Sequence, residues 1–332
     1  MPPAKSNDIP NLDFLRAGAV LFVLVDHTLN ALGVHRIWKA DLNWLGRTGV
    51  LFFFVHTCCV LMMSLERHKG KRFFSNFYLR RAFRIYPLSM IAVLLAMVPP
   101  YAPRLSPLAW LSNLALTQDL TFSGNAFESI WSLPLEVQMY FFLPFIFLLA
   151  RRRKSLWPLL ALFAASVPIA LWLPQHIGRA KVIAFVPAFL PGVIAYWLFR
   201  NGKQMLPPWG LPLAIASITT AFLLHPGWKF PAWLACLALG LCVPLFRQIP
   251  NRMVNKASFN IAKYSYGIYL SHSLLLTWMQ PTWRSLPLYL CAVVAASVAA
   301  YHLIEHPMIR LGQGVTTNHP SSAKRMAAHK LA

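Results

Sequence analysis

Charge is scarce in this chain, and negative charge is scarcer still. Only 12% of its 332 residues are Asp, Glu, Lys or Arg, and just 9 are acidic. Soluble domains hold about 25% charged and about 45–50% apolar residues, whereas 57% of this chain is apolar. With a mean hydropathy of +0.52, that balance excludes an ordinary soluble domain and points into a bilayer. Cysteine is sparse too. Cys58, Cys59, Cys236, Cys242 and Cys291 all lie inside apolar runs, and no C-x-x-C pair exists, so neither a disulfide framework nor a zinc or dithiol site is written here. No repeat of 20–50 residues is visible, and no shift in composition marks a second domain. No A-x-A cleavage site follows the first apolar stretch, which is long enough to span, so it reads as a membrane helix rather than a removed signal.

What the chain does have is a series of apolar runs. They fall at 12–32, 44–65, 86–102, 133–150, 156–173, 182–199, 209–225, 231–246, 264–280 and 286–304. The lower limit for a span is about 17 residues, so the sequence predicts an all-α integral membrane protein of about ten transmembrane helices. A formal net charge of +22 suggests nucleic acid at first sight. The basic residues stand between the apolar runs, however, which makes them membrane-loop residues and the partners lipids. Seven fall in 66–85 (Arg67, Lys69, Lys71, Arg72, Arg80, Arg81, Arg84) and four in Arg151, Arg152, Arg153 and Lys154. Counted over alternating loops, Lys and Arg divide 22 to 8, which puts both termini in the cytoplasm. Residues 1–11 and 312–332 then read as cytoplasmic tails, the second without fixed structure, on either side of a membrane domain at 12–311. The longest outer loop, 103–130, carries Asp119 and Glu128, shows few helix signals, and suits a cap over an outward-facing site.

An ionisable residue inside a span costs about 2.5–3.5 kcal/mol on insertion scales and becomes a functional candidate by default. Arg16 and His27 stand eleven residues apart in the first run. That separation is three turns plus about 20°, so one stripe carries both, about 16 Å apart along the axis. The same pair also reads as a snorkelling arginine and a hydrogen-bonded core histidine. Asp26 points about 100° away from His27 and is a poor orienting partner within the helix. Glu136 follows Pro134 in the first turn of the fourth run, where it could meet His27 and raise its basicity, or simply answer the helix macrodipole. Arg81 and Arg84, one turn apart, present two guanidinium forks suited to phosphate, or else anchor the chain at the inner surface. His272, with Tyr269 and Trp131, is a further cavity candidate, whereas His56 reads more readily as a satisfied core residue. His302-Leu-Ile-Glu-His306 matches the H-x-x-E-H metalloprotease pattern, but no third ligand is apparent and the chain is read as holding no metal.

Taken together, these segments resemble the acyltransferase family 3 membrane proteins, which O-acylate glycans, lipids and secondary metabolites. The resemblance runs from Leu12 to Gly312. It rests on Asp13-Phe-Leu-Arg16 with His27, Phe52-Phe-Phe54-Val55, Arg81-Ala-Phe-Arg84, Trp131-Ser-Leu-Pro-Leu-Glu136, Ser265-Tyr-Gly-Ile-Tyr269-Leu-Ser-His272 and Glu305-His-Pro307. Phe14 replaces the usual Gly, and His56-Thr57 stands where Ser-Gly is common. The resemblance implies a multi-pass protein of a bacterial inner membrane that draws on cytoplasmic acyl-CoA, above all acetyl-CoA. The phosphates would sit near Arg81 and Arg84 and the pantetheine arm would pass Arg16. His27, with Glu136, would act on a hydroxyl of a glycan, lipid-linked sugar or small metabolite, as general base or transient acyl carrier. The chain shows no hydrolase-like domain of the kind fused to some members, so a second transfer step would fall to a separate periplasmic transferase. A transporter or flippase of the same intermediates, without covalent chemistry, is the rival expectation.

Overall fold

The computed structural model describes residues 9–67, 72–99, 103–151, 155–177 and 181–317. Lys5, Lys69, Lys71, Arg152, Arg153, Lys154, Arg179, Lys324, Arg325 and Lys330 of the charge tally, and the tail from 318 on, lie outside them. Among the described residues the chain forms α1 (Pro10–Ala31), α2 (Leu45–Arg67), α3 (Phe73–Leu95), α4 (Pro107–Leu114), α5 (Ser132–Arg151) and α6 (Trp157–Ile177). It continues through α7 (Lys181–Asn201), α8 (Gly210–Leu224), α9 (Phe230–Cys242), α10 (Arg252–Met279), α11 (Leu286–Ala300) and α12 (His306–Thr317). A single π-turn, Tyr301–Glu305, joins the last two. Among the described residues the paired extended backbone is one small hairpin, Arg36–Ile37 antiparallel to Ala40–Asp41, and an isolated parallel bridge between Leu206 and Phe246. Among the described residues five helical stretches are long and apolar enough to cross a membrane, and α8 and α9 are shorter apolar helices. The protein is an all-α membrane protein.

Four features differ from the expectations drawn from the apolar runs. The third helix begins at Phe73 rather than near Tyr86, so Arg80, Arg81 and Arg84 are helical residues and not loop residues. Hydropathy stops at the arginines, but a helix need not, because its backbone is satisfied whatever the side chains meet. The tenth helix likewise starts twelve residues before the run at 264, capped by Asn251, whose side chain accepts from the N–H groups of Met253 and Val254. The loop at 103–130 contains α4, started by Ser106 and Pro107 with the Ser106 hydroxyl accepting from Ala109 N–H at 3.2 Å. Residues 312–317, expected in a tail, belong to α12.

Helix directions follow from which residues touch. α1 and α2 form an antiparallel pair in which Gly46 lies against Asp26 and Gly49 against Ala19 and Val23. α2 and α7 run the same way, with Phe54 stacked on Phe189 and Glu66 paired with Arg200 at 3.2 Å. α7 and α9 also run the same way, since the Trp233 indole donates to the carbonyl of Ala184 while Gly240 abuts Pro191. α1 and α10 are parallel, with Arg16 bonded to Ser265 and His27 to His272.

Small residues let these backbones approach, which is how helices pack where apolar solvent offers no hydrophobic drive. A Cβ on Gly192 would meet the carbonyl oxygen of Val55 and lie 2.6 Å from Cys58 Cβ, whereas one on Gly18 would meet nothing within 4 Å. Gly192→Ala is therefore expected to lower stability by about 1–3 kcal/mol through overpacking. Gly18→Ala should be neutral or slightly stabilising. Thermal unfolding of the two purified variants in detergent checks this, and equal midpoints would refute the close approach.

Candidate active site

α1 carries the two residues on which the site is built. Arg16 and His27 share a stripe facing α10, as their spacing predicts. Arg16 Nε donates to Ser265 Oγ at 2.7 Å, and that hydroxyl donates in turn to the carbonyl of Ala262 at 2.8 Å. His27 Nδ1 lies 2.7 Å from His272 Nε2. His272 is fully buried, and its Nδ1 faces the carbonyl of Ile268 at 3.0 Å. The two rings are 25° from coplanar with centroids 4.9 Å apart, so with nitrogens this close they meet edge to edge.

Three cavities line up along this seam. An ionic chamber of about 710 Å³ includes Asp13, Arg16, His56, Arg84, Lys263 and Glu305. A narrow neck of about 70 Å³ is walled by Arg16, Arg84, Phe53, Thr57, Glu136 and Tyr269 among others. A histidine chamber of about 540 Å³ holds Asp26, His27, Asn30, Glu128, Trp131 and Trp228. Arg16 and Arg84 border both the ionic chamber and the neck, while Val50 and Tyr269 border both the neck and the histidine chamber. Arg16 thus stands where the ionic chamber meets the neck, and His27 stands in the chamber at the row's other end.

Glu136 is not beside His27. It sits in the neck, where the Tyr140 hydroxyl donates to its Oε1 and the charges of Arg16 and Arg84 face it. One turn of α5 separates Glu136 from Tyr140, so the carboxylate turns toward α3 and the start of α1 and away from the histidines. Arg81 and Arg84 also part company. Arg84 faces the neck and the ionic chamber, with NH2 3.6 Å from Glu305 Oε1, whereas Arg81 lines a small separate pocket with Arg80, Ser64 and Phe77. Residues three apart on a helix differ by about 60° in azimuth, so the two open onto different cavities, although the Arg81 charge also faces Tyr140 and Glu136.

Tyr269 stands at the junction of neck and histidine chamber, its hydroxyl donating to the carbonyl of Ser129 at 2.6 Å with Ser132 Oγ also at 2.6 Å. Trp131 packs edge-on against Trp228 at 5.6 Å, and the Arg47 guanidinium lies 4.5 Å and 4.6 Å from the rings of Trp44 and Trp228. Asp26 accepts from the Gly46 backbone, and its Oδ2 is 3.6 Å from His27 Nε2, too long for a hydrogen bond. His56, read as a satisfied core residue, instead lines the ionic chamber with its Nδ1 unpartnered. Sequence reasoning also missed Ser265 and Glu305 as site residues, although both lie inside motifs it had singled out.

The π-turn explains Glu305. One extra residue in the turn rotates it inward, where it is 1% exposed and Oε2 has no partner. His302 and His306 pack instead on Tyr264 and Tyr301, so the H-x-x-E-H residues do not converge. Removing Arg84 leaves a buried carboxylate uncompensated. Arg84→Ala is expected to cost about 3 kcal/mol of stability, and Arg84→Ala with Glu305→Leu should recover most of it. A double-mutant cycle of unfolding midpoints checks the coupling, and strictly additive losses would refute it.

A family model described as "Acyltransferase domain" matches residues 9–304. A protein of Acidianus two-tailed virus named "Putative acetyltransferase ORF330" is 23% identical over 286 residues, covering 82% of this chain and 84% of that protein. No solved structure matches the chain with significance. With nearly the whole membrane core matched, the chain belongs to acyltransferase family 3 and is a membrane acyltransferase.

Proposed function

We propose that this enzyme is an O-acyltransferase that takes an acyl group, acetyl first of all, from cytoplasmic acyl-CoA. It delivers that group to a hydroxyl of a glycan or glycolipid at the outer side of a bacterial inner membrane. The observation that carries this reading is the row of cavities from Arg16 to His27, which gives a donor and an acceptor separate entrances to one seam. The ionic chamber offers Arg16, Arg84 and Lys263 to phosphates. The histidine chamber offers Trp131 and Trp228 as apolar faces, with Asn30, Asn125 and Glu128 between them, which suits a polyhydroxylated ring. The relative named for acetyl transfer favours acetyl as the group moved.

The same reading gives ten spans within 12–311 and both termini in the cytoplasm. Its support is the charge bias of the loops together with the helix directions. The parallel course of α7 and α9, with α8 returning the chain between them, supports counting both short helices as crossings. With α1, α2, α3, α5, α6, α7, α10 and the continuous α11–α12 pair, they make ten.

His27 then takes the proton of the acceptor hydroxyl, Arg16 steadies the donor at the neck, and Glu136 holds the neck in register through Tyr140. Membranes carrying the protein, incubated with labelled acetyl-CoA, are expected to move label into glycan or lipid. His27→Ala should lower the rate on the order of 10²–10⁴-fold, the share a general base supplies. Label that stays on the donor in wild-type membranes, or transfer at full rate by His27→Ala, would overturn the reading.

A further inference from the structure

The contact between His27 and His272 determines where one proton sits. His272 Nδ1 faces the carbonyl of Ile268 at 3.0 Å, and a carbonyl only accepts, so Nδ1 carries a hydrogen and donates it. A neutral ring has one protonated nitrogen, and a fully buried imidazole is costly to charge. His272 Nε2 is therefore a bare lone pair. It meets His27 Nδ1 at 2.7 Å, so the hydrogen in that bond belongs to His27. Nε2 of His27 is left without a proton, on a ring that borders the 540 Å³ chamber.

We propose that His272 is the positioning residue that holds His27 in its Nδ1–H tautomer, so that Nε2 is the basic atom of acyl transfer. This rests on the reading of His27 as the base. An acceptor O–H gives its proton to Nε2 as its oxygen forms the new C–O bond with the thioester carbonyl. The C–S bond breaks, and the proton passes from Nε2 to the leaving thiolate, which departs as free thiol. While His27 is cationic, Nδ1–H remains bonded to His272, and the Asp26 carboxylate stands 3.6 Å from Nε2. The other charged or titratable groups beside the pair include Arg47 from α2, Glu128 from the turn before α5, Tyr269 from α10, and Tyr289 from α11, whose hydroxyl donates to the His272 carbonyl at 3.3 Å. A base ordered by a second group is the arrangement by which triads fix which nitrogen works. Here the second group is itself an imidazole, ordered by a main-chain carbonyl.

The test uses full-length protein in lipid nanodiscs with its histidines labelled by ¹⁵N. His27 signals are assigned by their loss in His27→Ala. The expected spectrum at neutral pH shows His27 protonated at Nδ1 and bare at Nε2, with the Nε2–H form growing in His272→Leu. Acetyl-CoA turnover by native membranes, read as free CoA thiol, should fall on the order of 10²-fold in kcat for His272→Leu with KM for acetyl-CoA unmoved. His272→Gln, whose amide oxygen accepts from the same side, should recover most of that loss. An Nε2–H tautomer in the wild type, or full kcat in His272→Leu, overturns the proposal. If His272→Leu does not fold, the wild-type tautomer alone decides. Inactive His27→Ala beside fully active His272→Leu sinks only the role of His272, whereas active His27→Ala sinks the base assignment itself.

Discussion

Two short hydrogen bonds, Arg16 to Ser265 and His27 to His272, hold the first helix against the tenth, and the rest of the site takes its geometry from that seam. In an apolar surround a polar side chain without a partner is costly, so such pairs specify which helices meet and in which register. Apolar contacts alone would tolerate α10 sliding or rotating against α1. Two polar contacts near opposite ends of the seam do not. α2 then closes on the other side of α1, brought near by Gly46 and Gly49, and so completes the wall of all three cavities.

That dependence explains what could be seen in the chain beforehand. Helical class, membrane residence and the shared face of Arg16 and His27 follow from composition and from 3.6-residue periodicity, which are local properties. The partner of His27 does not. Glu136 was a chemically reasonable choice, since it opens a helix on the expected side, yet Tyr140 one turn later holds it in the neck. His272 stands in the middle of an apolar stretch 245 residues from His27. Only the packing of α1 on α10 brings the two rings together. The i,i+4 relation of Glu136 and Tyr140 was the one signal that could have redirected the expectation.

The polar helices were also the least legible in their boundaries. α3 and α10 run well past their apolar cores because Arg80, Arg84, Lys256 and Lys263 lie within them. A hydropathy window treats these residues as loop. Hydrogen bonding within a helix is indifferent to them provided each charge finds a partner or an aqueous edge, as Arg84 does with Glu305 and Lys263 does over the rings of Tyr264 and Tyr301.

The neck gives the two chambers their separate characters. Its volume of about 70 Å³ leaves room for only a few waters, and its walls include Phe53, Phe54 and Tyr269. A constriction of this kind limits the passage of bulk water, which in the proposed reaction keeps water on one side from competing with an acceptor hydroxyl on the other. The arginine at its border is tied by Nε to the neutral hydroxyl of Ser265, and Glu136 faces it across the neck already bonded to Tyr140. Releasing a bond from a charged donor to a hydroxyl costs about 1.5–3 kcal/mol net, against about 3–5 kcal/mol for breaking a buried ion pair. Arg16 is thus placed firmly enough to set the register of α1 and loosely enough to yield to an incoming anion. On the proposed reading, those are the two demands made on a cation that stands between a donor chamber and a base about 16 Å away.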